Sequence, residues 1–376
     1  MAGQETPVLN DLLDRLNKAK GSDMFITVGA PALMKVHGKL EPMTNYPLTK
    51  NHMTELVYKS MSQKQKEEFE KTHEANFAIS LGDGGRFRVS AFYQRNQIGM
   101  VVRRIETKIP TMDQLELPVV LKKLVMAKNG IIIMVGATGT GKSTTLASMI
   151  DHRNRHSQGH IITIEDPIEF IHRHQGCVVT QREIGIDTDN WENALKNTLR
   201  QAPDIIMMGE IRTRESMDYA VAFAETGHLV LCTLHANNAN QAIDRIINFF
   251  PEERRHQLLM DLSLNLKGVV AQKLIPKVDG GRVAVHEILM ASPYIKDLIK
   301  KGEVDKLKEQ MKLNKEDGMQ TFDMALVDAY KKGVISYDDA LGYADSENEV
   351  RLNIKLSEGG ADKEGLGGLE ILREKK

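Results

Sequence analysis

The run GATGTGKS, Gly136–Ser143, satisfies every fixed position of G-x-x-x-x-G-K-[ST]. This is phosphate chemistry done mainly by backbone. Glycines let the chain wrap an anion with its N–H groups, and a helix beginning there adds a partial positive charge. Gly136, Ala137, Thr138, Gly139, Thr140, Gly141, Lys142, Ser143 and Thr144 are therefore the candidate nucleotide-binding residues. Lys142 is placed to reach the β- and γ-phosphates and Ser143 to hold Mg²⁺, so the expected cofactors are ATP and Mg²⁺. A Gly-rich turn can arise by chance, but here the flanks agree. The apolar run Ile131–Val135 reads as a buried strand, and Thr144–Ile150 opens a helix.

Three other apolar runs also end in reactive side chains. His160–Ile164 is followed by Glu165-Asp166-Pro167, Pro203–Met208 by Gly209-Glu210, and Leu229–Leu234 by His235. Each has a plain structural explanation when taken alone: a solvated cap, a turn, a satisfied histidine. In an open α/β sheet, however, ligands bind beyond the carboxyl ends of the strands. A parallel sheet would bring Lys142, Glu165, Glu210 and His235 to one edge. There Glu210 would face the γ-phosphate across the metal, touching Mg²⁺ through water. Its length suits it to position or deprotonate the attacking water, where an Asp more often serves the metal's hydration shell. Gly209 is expected to keep that approach open. His228 lies seven residues before His235, at the other end of the same strand, and an odd separation puts the two on opposite faces.

Periodicity supplies the scaffold around these residues. Pro7–Lys20 has leucines at i, i+3, i+4 and i+7, a helix. Residues 22–43 read as two short strands joined by Gly-Ala-Pro, and Asn51–Lys71 as one helix. Gly82-Asp83-Gly84-Gly85 reads as a hairpin turn between alternating strands. Residues 1–107 are thus a small α+β domain. Residues 108–129 lead into strands alternating with helices up to about Pro276, a parallel sheet with crossovers, followed by mostly helical chain to 345. Residues 346–376 form a polar, Gly-containing tail.

Composition removes several classes of function. Lys plus Arg is 50 against 51 Asp plus Glu and aromatics are 5%, so neither bulk basicity nor a stacking platform argues for nucleic acid. No apolar run reaches the ~18 residues of a membrane span. The opening MAGQETPVLNDLLDRL lacks the charge and hydropathy pattern of a secretory signal. Cys177 and Cys232, the only cysteines, form no CxxC pair, which leaves no zinc site or disulfide framework and fits a reducing compartment.

The phosphate loop, TIEDPIE, GEIR and TGHLVLCTLHANNA occur in this order and at a spacing that resembles the secretion-superfamily hexameric ATPases of type II secretion and type IV pili. The resemblance covers about Gly21–Gly342. GRFRVSAF and the N-terminal segment are similar to the type IV pilus retraction ATPases of the PilT/PilU family, and KGSDMFITVGAPALMKVHGKL, GEIRTRESM and a tail beyond Gly342 to its PilU branch. The resemblance implies an N-terminal PAS-like α+β domain followed by a RecA-like P-loop NTPase domain with a helical C-terminal segment, α/β in class. It assigns Glu210 as the catalytic glutamate, Glu165 to the nucleotide site, and His228 with His235 to a histidine box. It makes Arg88, Arg103 and Arg104 candidates to neutralise γ-phosphate charge when the two domains close. The family's A-I-R-x-L-I-R type segment is replaced by Tyr294–Lys300, YIKDLIK, with lysines that cannot reproduce arginine's planar fork.

The resemblance also implies a homo-oligomer, a hexamer, that hydrolyses ATP to assist pilus retraction and twitching motility beside PilT. It would sit at the cytoplasmic face of the inner membrane against a platform protein, with no direct nucleic-acid contact. Alternatives remain open at this point: the primary retraction motor PilT itself, a P-loop nucleic-acid translocase, or a non-catalytic adaptor on an old fold. The intact Lys142, Ser143 and Glu210 speak against the last.

Overall fold

The computed structural model describes residues 6–82, 85–106 and 108–358. In chain order the elements are α1 (Leu9–Lys18), β1 (Asp23–Thr27), β2 (Leu33–Val36), β3 (Lys39–Pro42), α2 (Lys50–Ser60), α3 (Gln63–Thr72), β4 (Glu74–Ser80), β5 (Arg86–Gln94) and β6 (Gln97–Ile105). After these come α4 (Val119–Val125), β7 (Gly130–Val135), α5 (Lys142–His156), β8 (Gly159–Glu165), β9 (Cys177–Glu183), α6 (Trp191–Thr198), β10 (Ile205–Met208), α7 (Arg214–Glu225) and β11 (Leu229–Leu234). The chain continues through α8 (Ala239–Asn248), α9 (Glu252–Asn265), β12 (Leu266–Pro276), β13 (Arg282–Met290), α10 (Pro293–Lys301), α11 (Leu307–Leu313), α12 (Phe322–Lys331), α13 (Tyr337–Gly342) and α14 (Glu347–Glu358). Two compact units result: residues 1–110 with 153–209, and 111–152 with 210–376.

The first unit carries an antiparallel sheet in the order β3-β2-β1-β6-β5-β4. Its strands alternate in burial because one face packs on helices: in β5 Phe87, Val89 and Ala91 are buried while Arg86, Arg88 and Ser90 are partly exposed. Leu12, Leu13 and Leu16 of α1 close the core with Met53, Val57, Phe69 and Phe77, each large side chain contributing ~1.5–3 kcal/mol on burial. The segment expected to hold two short strands holds three, because His37-Gly38, both at positive φ, turns β2 back as β3. The single helix expected at Asn51–Lys71 is two. Ser62 accepts from the Gln65 N–H while Gln65 caps Ser62 in return, a reciprocal box that starts a new helix. Asp83 and Gly84 of the expected hairpin turn lie outside the described residues. The same unit holds three parallel strands in the order β10-β8-β9.

In the second unit the order is β13-β12-β7-β11, with β12 and β11 both parallel to β7 and only β13 antiparallel. Every residue of β7 and β11 is buried, as expected of parallel strands covered on both faces. Val135 is level with Leu234 on one side and Ala271 on the other, so this register fixes where the phosphate loop emerges. Within the span expected as a polar tail, Glu347–Glu358 is helix α14. Asp323 accepts the Asp345 and Ser346 N–H groups ahead of it, Lys273 and Lys308 reach Asp345, and Val350 and Ile354 are buried. No helix among the described residues is long and apolar enough to cross a membrane.

Candidate active site

The phosphate loop leaves β7 at Gly136 and enters α5 at Lys142. Gly136 has φ +151°, and a Cβ there would lie 2.6 Å from the Gln272 carbonyl oxygen and 2.7 Å from Thr140 Oγ1. Gly141, at φ +84°, has Gln272 Nε2 3.0 Å from where a Cβ would sit. The motif's two fixed glycines are therefore demanded both by conformation and by the close approach of β12. Lys142 is buried, and its Nζ donates to the carbonyls of Gly136 and Ala137 at 2.8 and 2.9 Å, which centres the charge inside the turn. Thr140 Oγ1 closes the turn on the Ala137 carbonyl at 2.9 Å.

Because Leu234 is level with Val135, His235 emerges beside Gly136 at the carboxyl edge of β11 and β7. Glu210 meets it there, with 3.2 Å between His235 Nε2 and Glu210 Oε1. The Ile211 N–H donates to the Thr233 carbonyl at 2.9 Å, which ties the chain after Glu210 to the end of β11. Glu210 Oε2 accepts from Arg212 at 2.7 Å, and Arg245 holds the His235 carbonyl at 2.8 Å. The glutamate is thus oriented on both oxygens, one by a histidine and one by an arginine. A carboxylate fixed in this way can accept a proton or a hydrogen bond from water in a defined direction.

Glu165 ends β8 in the first unit and is buried. Burial pushes its carboxyl up to about 7, against the opposing pull of hydrogen bonds from Thr163 Oγ1 at 2.7 Å and Gln181 Nε2 at 3.1 Å. A group titrating near neutrality is suited to proton transfer. Gly209 answers a packing need that the sequence does not announce. Its N–H donates to the Ile164 carbonyl at 2.8 Å, and a Cβ would lie 3.1 Å from that oxygen and 3.3 Å from Glu165 Cα. Close contact with β8 requires the glycine.

The three arginines of β5 and β6 do not share one face. Arg88 and Arg103 are cross-strand partners, and Arg103 also pairs in register with Asp23, whose carboxylate accepts its Nε at 2.8 Å. Arg88 Nε lies 3.7 Å from the buried carboxylate of Glu183. Arg104 points to the other face of β6, opposite Phe87, where it donates to the Gly21 carbonyl at 3.0 Å and to Glu106 at 3.1 Å. His228 sits at the amino end of β11, where Leu229 is level with Gly130. Its Nδ1 is 3.0 Å from Thr226 Oγ1 and 3.1 Å from the Phe223 carbonyl. Within this chain it is a full strand length from His235.

Sequence reasoning missed Arg212, Arg245, Gln272 and His286. A signal for the last two was present: a glutamine interrupts the apolar strand LKGVVAQKLIP, and a histidine interrupts RVAVHEILM. Both are buried. Cys232 is buried as well, and its thiol is pushed up to about 12, so it is inert at neutral pH.

A RecA-like sheet presenting a phosphate loop and an oriented glutamate at one edge defines a P-loop ATPase. The family described as type II/IV secretion system protein matches residues 4–341. The chain is 62% identical to the type IV pilus ATPase PilU of Pseudomonas aeruginosa, over 93% of this chain and 92% of the relative. It is 40% identical to the retraction ATPase PilT of the same organism, over 88% of this chain and 96% of that one. A crystal structure of the pilus retraction motor PilT with bound ADP superposes with a TM-score of 0.85 at 35% identity, covering 92% of this chain and 99% of that one. The Legionella pneumophila ATPase DotB gives 0.71 at 27% identity, covering 90% and 96%. The chain belongs to the type II/IV secretion system protein family, within its PilT/PilU group of pilus retraction ATPases.

Proposed function

We propose that this ATPase is an accessory retraction motor: a hexamer that works beside PilT, at the cytoplasmic base of the pilus machine, on an inner-membrane platform protein. The observation that carries this reading is the complete hydrolytic edge, Gly136–Ser143 with Glu210 held by His235, in a chain more similar to PilU than to PilT. The helix α10, Pro293–Lys301, supports the accessory assignment. It buries Ile295, Leu298 and Ile299 but presents Tyr294 and lysines where the PilT-type segment has alanine and arginines.

The loop's N–H groups and the start of α5 hold the triphosphate, and Lys142 neutralises its β- and γ-oxygens. Glu210 orients the attacking water and takes its proton, with His235 fixing the carboxylate from the side. The Ser143 hydroxyl and the Glu210 carboxylate are the oxygen donors that would hold Mg²⁺, and the metal would supply neutralisation of phosphate charge. Glu165, at the end of β8, carries a carboxyl poised near neutrality, as a proton-transferring group requires. Of the three candidate arginines, Arg88 and Arg103 share the face of β5 and β6 opposite the buried core, while Arg104 shares a face with Phe87. Arg88 and Arg103 are each already paired with a carboxylate, Glu183 and Asp23 respectively, so a role at phosphate would require that pairing to be exchanged.

Two measurements test this. Purified protein should hydrolyse ATP, and Glu210→Ala should abolish turnover. In cells, deleting the gene should slow or weaken retraction, and the gene alone should not support retraction where PilT is missing. Retraction without PilT at the normal rate would make this chain a primary motor instead.

A further inference from the structure

The phosphate loop is held from behind by a buried polar relay that no motif announces. Gln272 of β12 is 2% exposed, as is His286 of β13, and the two are register partners across the antiparallel pair. Gln272 Nε2 donates to the Thr140 carbonyl at 2.7 Å. Its Oε1 accepts from Thr145 Oγ1 on the first turn of α5 at 2.7 Å and from His286 Nε2 at 3.0 Å. One amide therefore grips the loop and the helix after it. Two donors on Oε1 leave the amide one orientation, with the N–H pointing at Thr140. Burial keeps His286 neutral by pushing its pKa down to about 4, and its bond to Gln272 Oε1, which can only accept, puts the ring proton on Nε2.

In a trans peptide the C=O and the following N–H point in opposite directions. Drawing the Thr140 oxygen toward Gln272 turns the Gly141 N–H away from β12, to the side on which the loop surrounds an anion. We propose that Gln272, oriented by His286, is a positioning residue that presets the Thr140–Gly141 peptide for phosphate. An apolar residue in its place would free that peptide to rotate and would leave a buried carbonyl unpaired. The loop would then have to be ordered by the nucleotide itself, and affinity would fall by the fraction of time it is correctly formed. Glu210 and His235 make no contact with the relay, so the loss should appear in binding more than in the chemical step.

The inference rests on the nucleotide-binding reading of the loop, and the test separates the two. ADP binding to the full-length protein is measured by calorimetry, with ATP turnover and thermal melting alongside. Wild type is expected to bind ADP; failure there would count against the site itself. Gln272→Leu is expected to weaken ADP binding at least tenfold and to raise KM for ATP similarly, with kcat changed less than threefold. His286→Leu should weaken binding about threefold, and His286→Gln, which can still donate to Gln272, should recover most of that loss. If Gln272→Leu does not fold, Thr145→Val and His286→Leu each remove one donor to the same oxygen and are read instead, with the same threefold loss expected. ADP affinity within twofold of wild type in the folded variants, or a loss confined to kcat, would overturn the proposal.

Discussion

The carboxyl and amino ends of the parallel strands hold the same residue types and use them differently. At the carboxyl end of β11, His235 meets the carboxylate of Glu210 beside the start of the phosphate loop. At the amino end, His228 spends its Nδ1 on a threonine hydroxyl and a carbonyl of the preceding turn. The other unit repeats the contrast on β8. His160 near its start bridges the Gln201 carbonyl at 2.9 Å and Thr180 Oγ1 at 2.8 Å, while Glu165 at its finish is buried with a carboxyl near neutrality. One end ties its histidines to neighbouring hydroxyls and carbonyls; the other finishes in carboxylates. A polar residue type therefore says little about role until the strand end is known.

Four substitutions probe this contrast. The largest effect is expected for His235→Ala, with kcat down roughly 10–100-fold from loss of an orienting electrostatic contact and ADP affinity within a few-fold. His228→Ala should lower kcat far less, and an equal loss in both would collapse the distinction. Glu165→Gln comes next, read as stability against pH. The folded-state pKa of about 7 lies above the ordinary carboxylate value, so the folded state binds more protons than the unfolded between them. Wild-type stability must fall as pH rises through that window. The glutamine variant should be more stable than wild type at pH 8, by up to ~3 kcal/mol, and similar near pH 4. Denaturant melts at the two pH values measure this; an equal difference at both would deny the shift.

His160→Ala follows, with ~1–2 kcal/mol lost from two half-buried hydrogen bonds, seen as a lower melting temperature. The smallest expected stability change is for Arg103→Ala, whose exposed pair with Asp23 is worth ~0.2–1 kcal/mol. Arg104→Ala, removing a largely buried side chain tied to Gly21 and Glu106, should cost more. A loss of ATPase activity in Arg103→Ala beyond its small stability change would therefore point to a role other than folding.

The phosphate loop was legible because the motif is contiguous and its neighbours in sequence are its neighbours in space. The strand-end positions of Glu165, Glu210 and His235 were legible from the apolar runs before them, and parallel pairing is found within each unit, β7 with β11 and β8 with β10. The seven-residue interval put His228 at the opposite end of the strand from His235, and the register of β11 against β7 places them so. Gln272 and His286 were visible only as polar breaks in apolar strands, without a role. The partners of Gln272, Thr140 and Thr145, lie more than a hundred residues earlier, and His286 reaches them only through Gln272. Arg88, Arg103 and Arg104 looked equivalent in sequence; pleating alone assigns two to one face and one to the other. The helix break at Ser62 was written locally, in a Ser-x-x-Gln box that helical periodicity alone passes over.

The most direct test of a hydrolytic strand edge is single-turnover ATP hydrolysis by Glu210→Gln, with nucleotide affinity measured on the same sample. The variant should bind ATP about as tightly as wild type and hydrolyse it at least ~100-fold more slowly, the loss typical of removing a positioned base. Hydrolysis within a few-fold of wild type would contradict a base at residue 210 and move the chemistry to another carboxylate.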